Sequence, residues 1–260
     1  MRWICVTLVL AGTLWGQTGV VSTPAAQASA QTSIEPDAAK QIAAMQKKLD
    51  DWPQLGRYRE ANAALSAQDA KGGAADEKRV VFYGDSITDA WAQKPDEFFP
   101  GRPYVGRGIS GQTTPQMLVR FQQDVVQLKP AVVVILAGTN DIAGNTGPST
   151  PQMIEDNFES MIAIARANGI KVVIASILPA DHFGWKPGAR PAEQIRAMNS
   201  RLKAMCEREG LVYLDYYSKM ANAQGGLDLE LAKDGVHPTS KGYAMMSPLA
   251  EKAIAEALAR

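Results

Sequence analysis

Three side chains that could work together as nucleophile, base and orienting acid stand out in this chain. Ser86 lies in Gly84-Asp85-Ser86-Ile87-Thr88, and Asp234 precedes His237 by three residues in Asp234-Gly235-Val236-His237-Pro238. A serine hydroxyl is a weak nucleophile until a base takes its proton. An imidazole serves best when a carboxylate holds its other nitrogen. A carboxylate three positions before a histidine, in a loop ahead of a helix, can fold back onto one ring nitrogen and leave the other for Ser86. The chain has 2 histidines. The second, His182, directly follows Asp181, an adjacency poorly suited to orienting its ring. It stands in a loop marked by Pro179, Gly184, Pro187 and Gly188. Each piece also has an ordinary reading: Ser86 as a helix cap, and Asp-Gly with His-Pro as a surface turn.

Attack on a carbonyl builds an oxyanion, which needs preorganised donors. Asn140 can offer a side-chain amide, Gly111 a backbone N–H with no side chain in the way, and Ser86 its own N–H. The competing roles are a turn residue for Asn140 and the start of a helix for Gly111.

These residues need a frame. Short apolar runs at Val80–Tyr83, Tyr104–Val105, Ala131–Ala137, Ile170–Ile177 and Leu211–Leu214 read as buried strands. Helical spacing separates them. One helix starts at Thr114-Pro115, another at Thr150-Pro151, a third runs from about Pro191 to Glu209 before Gly210, and a last one is capped by Thr239. Strands alternating with helices imply a parallel sheet covered on both faces, a three-layer, doubly wound, flavodoxin-like α/β fold of about five strands. Ser86, Asn140 and Ser176 then fall at the carboxyl ends of strands, where ligands bind in such sheets. Gly106 to Gly111 matches G-x-G-x-x-G, but it follows the second strand signal and its helix opens only beyond it. No nucleotide cofactor is expected.

At 260 residues and 46% hydrophobic content, the chain can bury one full core. Its 27 basic and 27 acidic residues form no basic block, which argues against a nucleic-acid partner. Arg2, the apolar run from Trp3 to Trp15, and Ala28-Ser29-Ala30 describe a secretory signal peptide over residues 1–30. The run is too short and glycine-broken for a membrane anchor, so a secreted or periplasmic protein cleaved after Ala30 is expected. Cleavage removes Cys5 and leaves Cys206, which sits on the apolar face of a helix and reads as a buried structural thiol. Residues 31–78 read as a helical extension, broken at Asp51-Trp52-Pro53, and a linker; residues 79–260 form the main domain. The loop from Pro179 to Pro191 carries His182, Phe183 and Trp185, which could line a substrate pocket. The two aromatics could equally serve as loop anchors.

Four blocks in order resemble the SGNH subgroup of GDSL esterases and lipases: Gly84-Asp85-Ser86-Ile87-Thr88, Gly108-Ile109-Ser110-Gly111, Gly138-Thr139-Asn140-Asp141 and Asp234-Gly235-Val236-His237-Pro238. The resemblance covers roughly residues 79 to 250. It implies the SGNH hydrolase fold, a catalytic triad of Ser86, His237 and Asp234, and an oxyanion hole from Ser86, Gly111 and Asn140, without metal or cofactor. It also implies structural roles for Asp85 and Asp141. Gly106 stands where such proteins often carry asparagine, which would loosen the second block's loop. The expected activity is hydrolysis of short acyl esters, including O-acetyl groups of carbohydrates. Lysophospholipase or thioesterase chemistry, acyl transfer to a sugar, and a non-catalytic carbohydrate-binding module are the alternatives. The partner is a small-molecule or polysaccharide ester; oligomeric state is not legible.

Overall fold

The computed structural model describes residues 36–70 and 78–260. Five strands, β1 (Val80–Gly84), β2 (Tyr104–Gly108), β3 (Val132–Leu136), β4 (Lys171–Ala175) and β5 (Val212–Leu214), make one parallel sheet in the order β2-β1-β3-β4-β5. This is the expected flavodoxin-like, doubly wound order. Alternation along the strands splits the core in two. Val81, Tyr83, Val133 and Ile135 pack on one face, and Val80, Phe82, Val132 and Val134 on the other. Strands apolar on both faces stay covered only if helices lie on each side, which makes three layers.

The helices are α1 (Pro36–Asp50), α2 (Arg59–Ala70), α3 (Ser86–Ala92), α4 (Thr114–Asp124), α5 (Thr139–Ala143), α6 (Pro151–Ala167), α7 (Ala192–Glu209), α8 (Tyr217–Met220) and α9 (Ser240–Ala259). Thr150 caps α6 and Thr239 caps α9 through their side chains, and Gly210 closes α7 at φ 65°. The pattern of apolar residues did not announce α5 or α8, which are too short to display a helical period. Cys206 is buried on α7, and burial pushes its thiol up to about 12, as suits an inert packing residue.

Register puts the site together. Gly84 at the end of β1 pairs with Gly108 at the end of β2 and with Leu136 at the end of β3. The segments that follow, bearing Ser86, Gly111 and Asn140, therefore leave the sheet at one edge. Helix α3 lies directly on β2. A Cβ at Gly106 would overlap Ala92 Cβ, and one at Gly108 would come within 2.6 Å of Asp85 O. Gly106 is thus a close-approach glycine inside a strand, which corrects its reading as a source of looseness in the following loop.

The described chain divides into one unit ending at Met45 and a second, Gln46–Arg260. Helix α2 belongs to the second. Its buried Asn62 donates to Asp124 Oδ1 at 2.7 Å and accepts from Arg107 Nε at 2.8 Å, and Asp69 pairs with Arg79 at 2.7 Å. The signal sequence expected at 1–30 and residues 71–77 of the expected linker lie outside the described residues. Among the described residues, no helix is long and apolar enough to cross a membrane.

Candidate active site

Ser86 is the first residue of α3, and Asp85 rather than Ser86 caps that helix. The Asp85 carboxylate accepts from Ile87 N–H at 3.0 Å. Relieved of capping, the Ser86 hydroxyl points to His237, with Oγ 2.8 Å from Nε2. Asp234 folds back as its spacing anticipates: Oδ2 is 2.6 Å from His237 Nδ1, while Oδ1 accepts from the backbone N–H of Val236 at 3.0 Å and of His237 at 2.8 Å. An ionised carboxylate only accepts, so the His237 proton sits on Nδ1 and Nε2 is free to accept from Ser86. Burial alone would raise the Asp234 pKa, but the hydrogen bonds from the His237 ring and backbone outweigh it and hold the carboxyl below the usual range. Asp85 behaves oppositely: complete burial pushes its pKa up to about 6, against the pull of Ile87 N–H and nearby His237.

The loop bearing His237 is closed behind the ring. Thr239 N–H donates to Leu231 O at 2.7 Å, and the Tyr243 hydroxyl donates to Ile87 O at 2.9 Å, joining α9 to α3. Gly235 turns at φ 77°, and a Cβ there would stand 2.6 Å from the His182 ring. His182 thus lies against the His237 loop. Contrary to expectation, Asp181 does hold it, with Oδ1 at 2.7 Å from Nδ1, because the chain bends enough to bring adjacent side chains together. Ser86 is nonetheless bonded to His237 and not to His182.

Hydrogen bonds link Asn140 to the segments that carry Ser86 and Gly111. Asn140 is 3% exposed, and its amide donates to Gln112 O at 3.0 Å and to Asp85 Oδ2 at 3.2 Å. Asn145 donates to Asn140 Oδ1 at 2.8 Å and to Gly111 O at 3.4 Å. Among the described residues, neither Gly111 N–H nor Ser86 N–H donates to a protein acceptor, and the space where a Gly111 side chain would stand is open. Asp141 has a different task. Its carboxylate accepts from Thr114 N–H at 3.0 Å and from the Thr114 hydroxyl at 2.6 Å, fastening α5 to the start of α4.

The Gly108–Gln112 turn is braced from behind. Tyr58 donates to Gly108 O, Ser110 donates to Asp89 Oδ2 at 2.8 Å, and the Gln112 side chain reaches Pro53 O at 2.7 Å. Arg120, fully buried with Asp124 at 3.1 Å, donates to Gly84 O and Arg107 O at 2.9 Å each and to Gln112 Oε1 at 2.5 Å. One guanidinium therefore holds the strand ends that launch Ser86 and Gly111.

Trp185 is 45% exposed and its ring centroid is 6.2 Å from that of His237. Of the two roles open to Phe183, its geometry fits the loop anchor: it is 2% exposed and stacks on Trp185 at 4.9 Å, so it supports the exposed ring. Asp181, His182 and Arg190 border an open cleft of about 500 Å³ beside this loop. Sequence reasoning missed Asn145. Its signal is Gly144, which ends α5 at φ 74° after five residues and returns the chain so that Asn145 N–H meets Asn140 O at 3.0 Å. Among the described residues, no three His, Cys, Asp or Glu side chains are grouped as metal ligands.

The sheet order and the serine–histidine–aspartate line at its carboxyl edge define a class, the three-layer α/β/α proteins of SGNH type. A family model for the GDSL-like lipase/acylhydrolase family matches residues 82–245, and the chain belongs to that family. Among solved structures it is similar to a Bacteroides fragilis protein provisionally described as an acylhydrolase, with 44% identity, TM-score 0.74, and coverage of 80% of this chain and 98% of that one. A GDSL-like lipase from Bacteroides thetaiotaomicron is 42% identical at TM-score 0.74, covering 79% and 98% of the two chains. The esterase TesA of Pseudomonas aeruginosa is 30% identical over 134 residues, which is 52% of this chain and 60% of TesA. An uncharacterized lipoprotein of Bacillus subtilis, YqeF, is 37% identical, covering 52% of this chain and 66% of YqeF. The chain thus spans less than two thirds of these two curated relatives.

Proposed function

We propose that this protein is an exported serine ester hydrolase acting on short acyl esters, with O-acetyl groups of carbohydrates as its substrate class. The observation that carries the reading is the hydrogen-bonded line from Ser86 through His237 to Asp234, at 2.8 and 2.6 Å. Ser86 Oγ adds to the ester carbonyl carbon as its proton passes to His237 Nε2. Asp234, kept ionised by its hydrogen bonds, stabilises the imidazolium that forms. The oxyanion is met by the N–H groups of Ser86 and Gly111 and by the Asn140 amide, which gives up its longer 3.2 Å bond to Asp85. Collapse expels the alcohol, protonated by His237. Water then attacks the acyl-enzyme with the same base, releasing the carboxylic acid and restoring Ser86.

The sugar reading is supported by Trp185, whose exposed ring near His237 offers a flat apolar surface to a pyranose face. Export is supported by Arg2, the apolar run after it and Ala28-Ser29-Ala30, and by the naming of the Bacillus subtilis relative as a lipoprotein. Similarity to the esterase TesA favours a second reading, a lipolytic or thioesterase-type enzyme with the same triad. Turnover of p-nitrophenyl acetate, butyrate and octanoate by the protein and its Ser86→Ala variant separates them. The proposal expects Ser86-dependent hydrolysis that is fastest on acetate. A preference for octanoate would favour the lipolytic reading, and product transferred to an added sugar would favour acyl transfer.

A further inference from the structure

Asn145 joins the candidate oxyanion side of the site to the aromatic loop. Its amide nitrogen donates to Asn140 Oδ1 at 2.8 Å and to Gly111 O at 3.4 Å, and its Oδ1 accepts the Trp185 indole N–H at 3.3 Å. An indole N–H can only donate and a backbone carbonyl can only accept, so the Asn145 amide has one satisfactory orientation. The same holds for Asn140. Its NH₂ faces two acceptors, Gln112 O and the Asp85 carboxylate, and its oxygen faces the Asn145 donor. A reversed Asn140 amide would turn its oxygen toward two acceptors and its NH₂ toward another NH₂. The aromatic loop is fastened to the same turn a second time, where Lys186 Nζ donates to Ala143 O at 2.5 Å.

We propose that Asn145 is a positioning residue, which holds the Asn140 carboxamide with its N–H groups toward Gln112 O and Asp85 and ties that donor to the exposed Trp185. The inference rests on Asn140 serving as an oxyanion donor in the hydrolase reading. Asn145 is itself exposed, so its loss removes the orienting bond without opening the core. Acting through Asn140, it contributes to the barrier and little to substrate binding.

The test is a double-mutant cycle in kcat and KM on p-nitrophenyl acetate with Asn145→Ala, Asn140→Ala and the double variant, alongside Ser86→Ala. Asn145→Ala is expected to lower kcat about tenfold, the upper worth of one hydrogen bond, with KM and Tm essentially unchanged. In the Asn140→Ala background the same change should cost nothing further. Asn145→Asp, which has no donor for Asn140 Oδ1, should lose at least as much as Asn145→Ala. Unchanged kcat in Asn145→Ala, or an equal loss in both backgrounds, overturns the inference while leaving the hydrolase reading intact. Absence of Ser86-dependent turnover in the unaltered protein removes that reading, and this inference falls with it.

Discussion

The two edges of the candidate active site are built in opposite ways. On the histidine edge, Asp234 and His237 are three residues apart, their side chains are 53% and 36% exposed, and the geometry is made almost wholly within one pentapeptide. On the oxyanion edge, Arg120 and Asp124 are wholly buried, and they reach Gly84, Arg107, Gln112 and Asn62 across long stretches of chain. The exposed edge can afford local construction because water screens its charges. The buried edge satisfies its polar groups internally, Arg107 Nη2 excepted, since an unpaired group costs about 1–3 kcal/mol. The contrast implies that changes on the first edge affect chemistry and changes to the buried Arg120–Asp124 network affect the fold.

The largest effect expected is from Ser86→Ala, which should lower kcat by roughly 10⁴-fold or more while leaving Tm within a degree or two. Parallel rates and thermal melts check it, and retained turnover would remove Ser86 from the chemistry. Next is Asp124→Ala, which strands the buried Arg120 charge and should cost about 3–5 kcal/mol of stability, measured by urea unfolding. A loss below about 1 kcal/mol would show that the buried network is not what separates the two edges. Asn140→Ala should lower kcat by about 10²–10³-fold with smaller change in KM, read from steady-state kinetics.

The two aspartates should respond to pH with opposite sign. Asp234 has a depressed folded pKa, so its stabilisation is present above the ordinary carboxyl pKa and is lost as pH falls through the lower folded value. Its exposure makes that contribution small. Asp85 is raised to about 6, so the folded state binds a proton more readily than the unfolded chain, and stability falls as pH rises from the ordinary aspartate range to about 6. The stability of the unaltered protein minus that of Asp85→Asn should therefore fall as pH rises from about 4 to about 7. A difference independent of pH contradicts the assignment.

The same contrast explains what was legible in the sequence. The strands announced themselves because a covered parallel strand is continuously apolar, as at Val132–Leu136. Asp234 and His237 were legible because their spacing is itself the geometry. Thr150, Gly210 and Thr239 marked helix ends through side-chain and backbone preferences that act locally. The brace from Tyr58 and Asn62 onto Gly108 and Asp124 was not legible, because those partners lie 50 and 62 residues apart and nothing local requires them to meet. Phe183 and Trp185 looked alike in sequence. Only the folded loop puts one ring under the other.

The most direct test of the central claim is the site of covalent modification by an alkyl fluorophosphonate, read by intact mass and peptide mapping. The account predicts one adduct per chain, on Ser86, forming much more slowly in His237→Ala. An unmodified protein, or an adduct on another residue with Ser86 free, would contradict it.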